Sequence, residues 1–402
     1  MITDSAVRRP ADQRAYRLSA IDVVRGLVIV IMAIDHVRDF TMVGTELDPM
    51  ANPNIPAALF LTRWITHFCA PVFVLLAGTS AGLMTARKSP HALARFLVSR
   101  GTWLIFIEMF VISNLVTFSP RGVPEMRGSV LVAMQVIWAI GASMLALAAL
   151  QYLGRRACLF VGILIVAGHN LLDRFWLANA LFDERPLWVG LHAQMSFHAG
   201  PFQFIFIYPV LAWIGVMLVG FGASGLFELP AARRHSVLLR AGLALTAAFV
   251  VLRALGVYGD PNPWQLQPGV TATVIDFLNT TKYPPSLLFL LMTLGPAAVL
   301  CALADRWTGV VTNALVTFGR VPFAFYVAHV LLIHAIAILL GVAQGFDARQ
   351  FLTIFFFFPK GYGVGLPGVY ALWAVVIVAL YPFCRWVAAV KARRRDWWLS
   401  YV

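Results

Sequence analysis

The sequence contains ten apolar stretches, each close to the roughly 20 residues that an α-helix needs to cross a bilayer. Because the bilayer core holds no water to bond free peptide groups, such stretches are stable there as helices packed together. The sequence therefore predicts an all-α integral membrane protein, a polytopic bundle of about ten transmembrane helices. The stretches are 21–40, 66–86, 101–118, 130–152, 158–177, 202–222, 237–257, 286–304, 321–341 and 368–388.

The composition agrees with this class. Of the 402 residues, 60% are hydrophobic and only 12% are charged, and the mean hydropathy is +0.80, which is typical of a polytopic membrane protein. The formal net charge is +13, but most of the basic residues fall in alternate connections, as the positive-inside rule requires. The charge therefore predicts topology, with both termini in the cytoplasm, and we expect no nucleic-acid partner.

The whole chain, 1–402, is predicted to be a single transmembrane domain. It has a polar cytoplasmic arm at 1–16 and a basic cytoplasmic tail at 389–402. The four cysteines have no metal-binding or redox spacing, so we expect them to be packing residues. The connections 256–285 and 342–367 contain Pro, Gly and aromatic residues and are predicted to cap an outward-facing site.

The first stretch, IDVVRGLVIVIMAIDHVRDF, carries ionisable residues at both ends. The eleven steps from Arg25 to His36 leave the two side chains about 20° apart around a helix and roughly 16 Å apart along it. Asp22 and Asp39 fall near the same stripe. A charge facing lipid costs at least ~2.5 kcal/mol near the bilayer centre, so the stripe should face other helices or a water-filled cavity.

Histidine is the side chain best suited to act as a base near neutral pH. Asp35 and Asp39 lie close to His36 in sequence and could orient its ring, with Asp39 in the better facing position. His67 and Arg63 share a face at the same end of the bundle. The candidate catalytic residues are therefore His36, Asp39, Asp35 and His67, and whether His36 or His67 is the base stays open.

A second group of candidates lies at the opposite end of the first helix. Arg25 is near the end with the basic connections, and Arg100 and Arg320 stand at ends of apolar stretches at the same level. Arginine is the natural bidentate partner of a phosphate, so these three are candidates for binding a phosphorylated ligand. Further candidates for lining the site are Asp22, Arg38, Arg63, Glu108, Tyr326 and His329.

Two runs, RLSAIDVVRGLVIVIMAIDHVRDF and THFCAPVFVLLAGTSAGL, resemble the bacterial family related to the catalytic domain of heparan-α-glucosaminide N-acetyltransferase. YPVLAWIGVMLVG, YPPSLLFLLMTLGP, FGRVPFAFYVAHVLLIH and the RRRDWWLSY tail extend the resemblance along nearly the whole chain. The resemblance implies an acyltransferase of the bacterial inner membrane. It would move acetyl from cytoplasmic acetyl-CoA to a sugar or other cell-envelope acceptor at the external face, by N- or O-transfer.

The spacing of Arg25 and His36 is also similar to a first-helix pattern in the broader membrane acyltransferases that modify cell-surface polysaccharides, where the Arg and His are regarded as needed for transfer. One departure concerns the catalytic histidine of the lysosomal relative, because Leu47 stands at that place here. The role would have to pass to His36 or His67, either as a direct base or through an acetyl-histidine.

The main alternative is a multi-pass transporter or flippase for a small polar or anionic envelope precursor, since helices with buried charges also describe a permease. A repeated half or a helix pair broken by Gly and Pro would favour transport, and the sequence has neither clearly. We expect membrane lipids and an envelope-glycan acceptor as partners, acetyl-CoA as co-substrate and no metal. The oligomeric state stays open, with a homo-oligomer among the alternatives.

Overall fold

The computed structural model describes residues 10–44, 55–175 and 190–394, together with 396 and 399. Most of these residues are helical. The helices are α1 (Pro10–Thr41), α2 (Ala57–Thr66), α3 (Cys69–Met84), α4 (Pro90–Ile107), α5 (Ser113–Thr117), α6 (Val136–Leu150), α7 (Arg155–Gly168), α8 (Val210–Ala223), α9 (Ala231–Leu255), α10 (Val270–Leu278), α11 (Leu287–Ala304), α12 (Val310–Arg320), α13 (Pro322–Ala343) and α14 (Leu366–Arg393). A π-helical turn, Glu108–Ile112, joins α4 to α5.

Within the described ranges, nine helical segments are long and apolar enough to cross a membrane. They correspond to nine of the ten predicted stretches, and the prediction of an all-α polytopic membrane protein is confirmed. The remaining stretch lies in α1, which is 32 residues long but carries charged side chains near both ends of its apolar part. The side of the membrane on which the termini lie stays a prediction.

Several helices extend beyond the predicted stretches. α4 begins at Pro90, with Ser89 accepting a hydrogen bond from the Ala92 amide at 3.2 Å, so most of the predicted connection 87–100 is helical. α1 already begins at Pro10, inside the predicted polar arm, and α14 continues into the predicted tail. Hydropathy detects only the apolar part of a helix. It therefore misses helical turns with polar side chains that extend a helix beyond that part. Residues 1–9, most of 395–402, and Leu47 lie outside the described residues.

A three-stranded sheet is an addition that the sequence analysis missed. Its strands are β1 (Val130–Met134), β2 (Met195–Ala199) and β3 (Phe202–Phe206). β3 is central, parallel to β1 and antiparallel to β2. β1 and β3 fall at the starts of the stretches predicted as helices at 130–152 and 202–222. A five-residue apolar strand directly before an apolar helix cannot be separated from that helix by hydropathy alone.

α1 lies in the middle of the bundle, in contact with α2, α3, α11, α12, α13 and α14. Its closest approach is to α12. A Cβ atom added to Gly26 would lie 1.9 Å from the Leu315 carbonyl oxygen, and one added to Gly319 would lie 1.9 Å from the Asp22 carbonyl oxygen. The two backbones therefore touch, as small residues allow in membrane helices. This contact places Asp22 beside the end of α12.

Small residues have the same role between α3 and α8. A Cβ atom on Gly78 would lie 2.1 Å from the Met217 carbonyl oxygen, and one on Gly82 would lie 2.2 Å from the Ser224 hydroxyl. Gly78 and Gly82 thus allow α3 to pack closely against α8 and the residue that follows it. The four cysteines are buried and free, as expected of packing residues.

The connection 256–285 is fixed to the bundle by one arginine. The guanidinium of Arg253, at the end of α9, is buried and donates to the carbonyl oxygens of Asn262, Asp276, Phe277 and Asn279 at 2.7–3.0 Å. Asp260 accepts hydrogen bonds from the Thr281 amide and the Ser286 hydroxyl. Polar bonds thus hold this connection over one end of the bundle.

We expect Arg253→Met to lower the free energy of unfolding by about 3 kcal/mol, because four carbonyl groups lose a charged donor. Thermal unfolding in detergent should show the loss, and a protease should cleave within 256–285 sooner than in the wild type. Arg240→Met, at an exposed position on the same helix, is the matched control. Unchanged melting and cleavage in Arg253→Met would show that the connection is held by other contacts.

Candidate functional site

Two cavities open along α1, one near each end of its apolar part. The Arg25 cavity has a volume of about 240 Å³, and its lining includes Arg25, Arg100 and Tyr326. The His36 cavity has a volume of about 430 Å³, and its lining includes His36, Asp35 and again Tyr326. Of the residues that the structure describes, Tyr326 is the one that lines both. The predicted stripe of α1 therefore faces cavities inside the protein.

The Arg25 cavity is apolar except at its mouth. Its walls between Arg25 and Tyr326 are formed mainly by aliphatic, Met and Phe side chains from α1, α3, α4, α6 and α13. The guanidinium of Arg25 donates to Asp22 at 3.0 Å, to the Gly319 carbonyl oxygen at 3.1 Å and to the Ser80 hydroxyl at 3.1 Å. Arg25 is therefore held in a defined position at the cavity mouth.

Further cations lie at this mouth. Arg320 lies 3.7 Å from the Asp22 carboxylate and its side chain is largely exposed, outside the cavity lining. The Arg100 guanidinium lies 5.5 Å from the centre of the Phe323 ring, at the cavity wall. Lys391 of α14 lies near enough to interact electrostatically with Asp22 and Arg25. The sequence analysis missed Lys391 because nothing local in the tail shows that it folds back to this mouth.

His36 is hydrogen-bonded to His329 of α13, with 2.7 Å between His36 Nδ1 and His329 Nε2. Nδ1 of His329 lies 2.5 Å from the Tyr326 carbonyl oxygen and 3.1 Å from that of Phe325. A carbonyl oxygen only accepts, so His329 carries its proton on Nδ1 and its Nε2 accepts. His36 then donates from Nδ1, which leaves the lone pair on its Nε2. In the described part of the chain this Nε2 has no hydrogen-bonding partner.

The carboxylates beside His36 are bound to arginines instead. Asp35 forms ion pairs with Arg38, at 2.9 Å, and with Arg63 of α2, while Asp39 is paired with Arg38. Neither carboxylate is hydrogen-bonded to the His36 ring. The hydrogen bond to the His36 ring that we predicted from Asp35 or Asp39 is made instead with His329, because the two carboxylates are paired with arginines and α13 packs beside the ring.

His67 lines a third cavity. This His67 cavity, of about 310 Å³, is formed largely by the connection 256–285, and His67 is absent from the lining of the His36 cavity. The His67 ring is buried with its edge on Phe289, 5.4 Å between ring centres, and its Nδ1 has no partner among the described residues. The structure therefore places the two candidate bases in adjoining cavities and not in one.

Glu108 lines none of the three cavities. It is fully buried at the π-helical turn, and its Oε2 accepts a hydrogen bond from the Trp138 amide at 3.2 Å in the first turn of α6. A carboxylate at a helix N-terminus is favourable, because the free amides and the helix dipole attract it. The position of Glu108 agrees with a bracing role between α4 and α6.

Tyr326 stands between the two main cavities. It is 4% exposed, and its ring centre lies 6.1 Å from that of His36 in an edge-on arrangement. Its hydroxyl makes no hydrogen bond within the described residues. The two cavities thus adjoin each other at Tyr326. The same region holds a phenol hydroxyl and a histidine Nε2 that make no hydrogen bond with the described residues.

The connections contribute cavity residues that the sequence analysis did not name. These residues of the His36 cavity are Gln135, Gln194, Tyr208, Lys282, Tyr283 and Phe355–Phe357. For Lys282, Tyr283 and Phe355–Phe357 the signal was the prediction that the connections 256–285 and 342–367 cap a site, whereas the other three residues lie outside these connections and had no such signal.

Two of these side chains are the phenols of Tyr208 and Tyr283. The Tyr283 hydroxyl donates to the Tyr208 hydroxyl, with 3.5 Å between the two oxygens. Burial raises the pKa of Tyr208 well above its ordinary value, and the neighbouring Tyr283 adds to this effect. Burial also opposes ionisation of Tyr283, but Lys282 and Arg63 outweigh it and lower the pKa of that residue. The pKa values of the two phenols are therefore shifted in opposite directions, and Tyr208 stays a neutral hydroxyl at physiological pH.

Comparison with known families identifies the relationship. The family model described as heparan-alpha-glucosaminide N-acetyltransferase, catalytic, matches residues 17–258, which is more than half of the chain. The match includes Arg25 and His36 and ends before Lys282, Tyr326 and His329, whereas the resemblance read from the sequence extended into the tail. A search of curated proteins found no match. The chain belongs to the family of the heparan-alpha-glucosaminide N-acetyltransferase catalytic domain, and this membership indicates a membrane acetyltransferase.

Proposed function

We propose that this protein transfers acetyl from cytoplasmic acetyl-CoA, bound at the Arg25 end, to a sugar or other envelope acceptor at the His36 end. Its place would be the bacterial inner membrane. The observation that carries the proposal is the meeting of two cavities at Tyr326, next to the hydrogen-bonded pair His36 and His329. Family membership supports the acetyl-transfer chemistry.

The Arg25 cavity suits the acyl donor. Arg25, Arg320 and Lys391 lie near Asp22, and Arg100 lines the same cavity and lies near Lys391. Among the described residues the mouth therefore has an excess of positive charge for the phosphates of CoA. From Arg25 to His36 the helix rises roughly 16 Å, a length comparable to an extended phosphopantetheine arm. The apolar walls fit the aliphatic parts of that arm and exclude its charged nucleotide end.

The chemistry follows from the hydrogen-bonding state of His36. Its Nε2 takes a proton from the acceptor hydroxyl or amine as the acceptor atom bonds to the thioester carbonyl carbon. The carbon–sulfur bond then breaks, and protonated His36 returns the proton to the CoA sulfur. His329 stabilises the transient imidazolium by accepting from Nδ1. Attack by Nε2 itself, through an acetyl-histidine, uses the same nitrogen and remains the alternative path.

The tetrahedral intermediate needs a donor for its oxyanion. We assign this role to the Tyr326 hydroxyl, because it lines both cavities and makes no hydrogen bond with the described residues. In a site shielded from water, such a donor acts without reorganisation at the moment of reaction. A neutral hydroxyl donor also leaves the apolar passage free of fixed charge.

We expect His36→Ala to abolish acetyl transfer and His329→Ala to reduce kcat by a factor of about 100, as for loss of a general base and of its orienting partner. The measurement is release of free CoA and formation of acetylated product by protein in nanodiscs with acetyl-CoA and amino sugars. His91→Ala, at an exposed position on α4, is the control. Full activity in His36→Ala would overturn the mechanism. A wild type that releases no CoA and binds none would favour the transporter.

We expect Arg100→Ala to raise KM for acetyl-CoA by about tenfold or more, since a charged hydrogen bond contributes roughly 1.5–3 kcal/mol. kcat should change little, because the phosphate contact is the same in the ground and transition states. The donor S-acetylpantetheine, which lacks phosphate, should be used equally by wild type and variant. Arg95→Ala, on an exposed face of the same helix, is the matched control. Equal losses with both donors would contradict phosphate binding by Arg100.

We expect Tyr326→Phe to lower kcat about 100-fold, as measured for loss of one oxyanion donor in other enzymes, with KM for acetyl-CoA nearly unchanged. Single-turnover kinetics with saturating acetyl-CoA separates this step from binding. The matched control is Tyr381→Phe, which removes a phenol hydroxyl that lines neither main cavity. A Tyr326→Phe variant with normal kcat would remove Tyr326 from the reaction.

A further inference from the structure

The His36 and His67 cavities adjoin each other. Within the described ranges, four residues line both of them, Arg63, Gln194, Lys282 and Tyr283. Their volumes, about 430 and 310 Å³, together exceed what a single reacting group needs. If the acceptor reacts at His36, the adjoining space is available for another part of the same molecule.

The positive charges around the two cavities differ in their partners. Arg38 and Arg63 are paired with Asp35, and Arg253 is bonded to four carbonyl oxygens with Asp260 3.9 Å away. Lys282 has no carboxylate within ion-pair distance anywhere in the described ranges. Its ammonium group lies 5.1 Å from the centre of the Tyr283 ring, and the residue is half-buried.

A half-buried cation loses hydration and is stabilised when an anion pairs with it. The backbone of Lys282 is held by a short bridge with Pro285. The neighbouring Thr281 is anchored to Asp260 through both its amide and its hydroxyl. The ammonium group is thus presented to both cavities by a rigid segment.

Other side chains around Lys282 suit a polar ring compound. Tyr208, Tyr283 and Gln194 offer hydroxyl and amide groups to the His36 cavity. Phe356 and Phe357, whose side chains are 48% and 43% exposed, contribute apolar faces to its rim. Aromatic faces with a few hydrogen-bonding groups are a typical lining of a small-molecule site.

We propose that the acceptor carries an anionic substituent, a carboxylate or a phosphate, which binds Lys282 at the boundary of the two cavities while its hydroxyl or amine reaches His36. This inference rests on the proposed acetyl transfer for the position of the reacting group. Lys282 lies beyond residues 17–258, so the inference concerns a part of the chain that the family match does not cover.

The test compares three acceptors. Glucosamine has no anionic substituent, glucosamine 6-phosphate carries a phosphate, and muramic acid carries a carboxylate. With wild-type protein, kcat/KM should be at least about tenfold higher for one or both anionic acceptors than for glucosamine. Lys282→Met should remove that preference and leave glucosamine turnover within about twofold. Lys282→Arg should retain the preference. The relative values for phosphate and carboxylate identify the substituent.

Lys360→Met is the matched control, because Lys360 is exposed in the connection 342–367 and lines neither cavity. Equal use of all three acceptors by the wild type would overturn the proposal. Equal losses for all three in Lys282→Met would also overturn it, because they indicate a structural role.

Binding of the same three compounds without acetyl-CoA, measured by calorimetry, separates this proposal from the proposed function. Tighter binding of an anionic compound that depends on Lys282 would support the anion site even if no acetyl is transferred. Transfer without any such dependence would leave the acetyltransferase intact and remove the anion site.

Discussion

The hydrogen bond between His36 and His329 joins residues 293 positions apart in the sequence, and the arrangement of the site depends on it. It can form only because α1 lies in the middle of the bundle, beside α13. At the other end of its apolar part, α1 is held by the contact of Gly26 with α12 and by the hydrogen bond from Arg25 to the Gly319 carbonyl oxygen. With both ends held, the cavity on each side keeps a defined position relative to Tyr326.

The fold class was predictable because only packed helices and closed β-barrels can satisfy all their backbone hydrogen bonds inside a bilayer. Helix geometry alone also placed Arg25 and His36 on one stripe, and both line cavities. The partner of His36 was harder to predict, because it depends on which distant helix packs against α1, whereas sequence spacing favoured the neighbouring carboxylates and Asp39 in particular. The sheet escaped notice because its strands run directly into apolar helices. Lys282 escaped notice because a lysine in a loop has no local pattern that marks it as half-buried.

In the proposed reaction, the two main cavities would keep the charged parts of the reactants apart. The phosphates of CoA would be expensive to move into an apolar passage, since charges in a membrane interior cost several kcal/mol. In the proposed reaction, walls formed mainly by aliphatic, Met and Phe side chains would select for the uncharged portion of the donor. Only the acetyl group would then have to pass Tyr326, which lines both cavities. Two cavities that share this phenol suit such a division better than a continuous polar channel, which a transported solute would need.

The charges nearest His36 nearly cancel one another. Asp35, Asp39, Arg38 and Arg63 form a connected set of two carboxylates and two guanidinium groups. Such a set holds the ends of α1 and α2 together without giving the cavity a large net charge, and fully paired groups have little to offer a ligand. Among the described residues that line the His36 cavity, the cation outside this set is Lys282. In the proposed reaction, Lys282 would therefore determine the net charge that an acceptor meets, while the paired charges hold the helix ends.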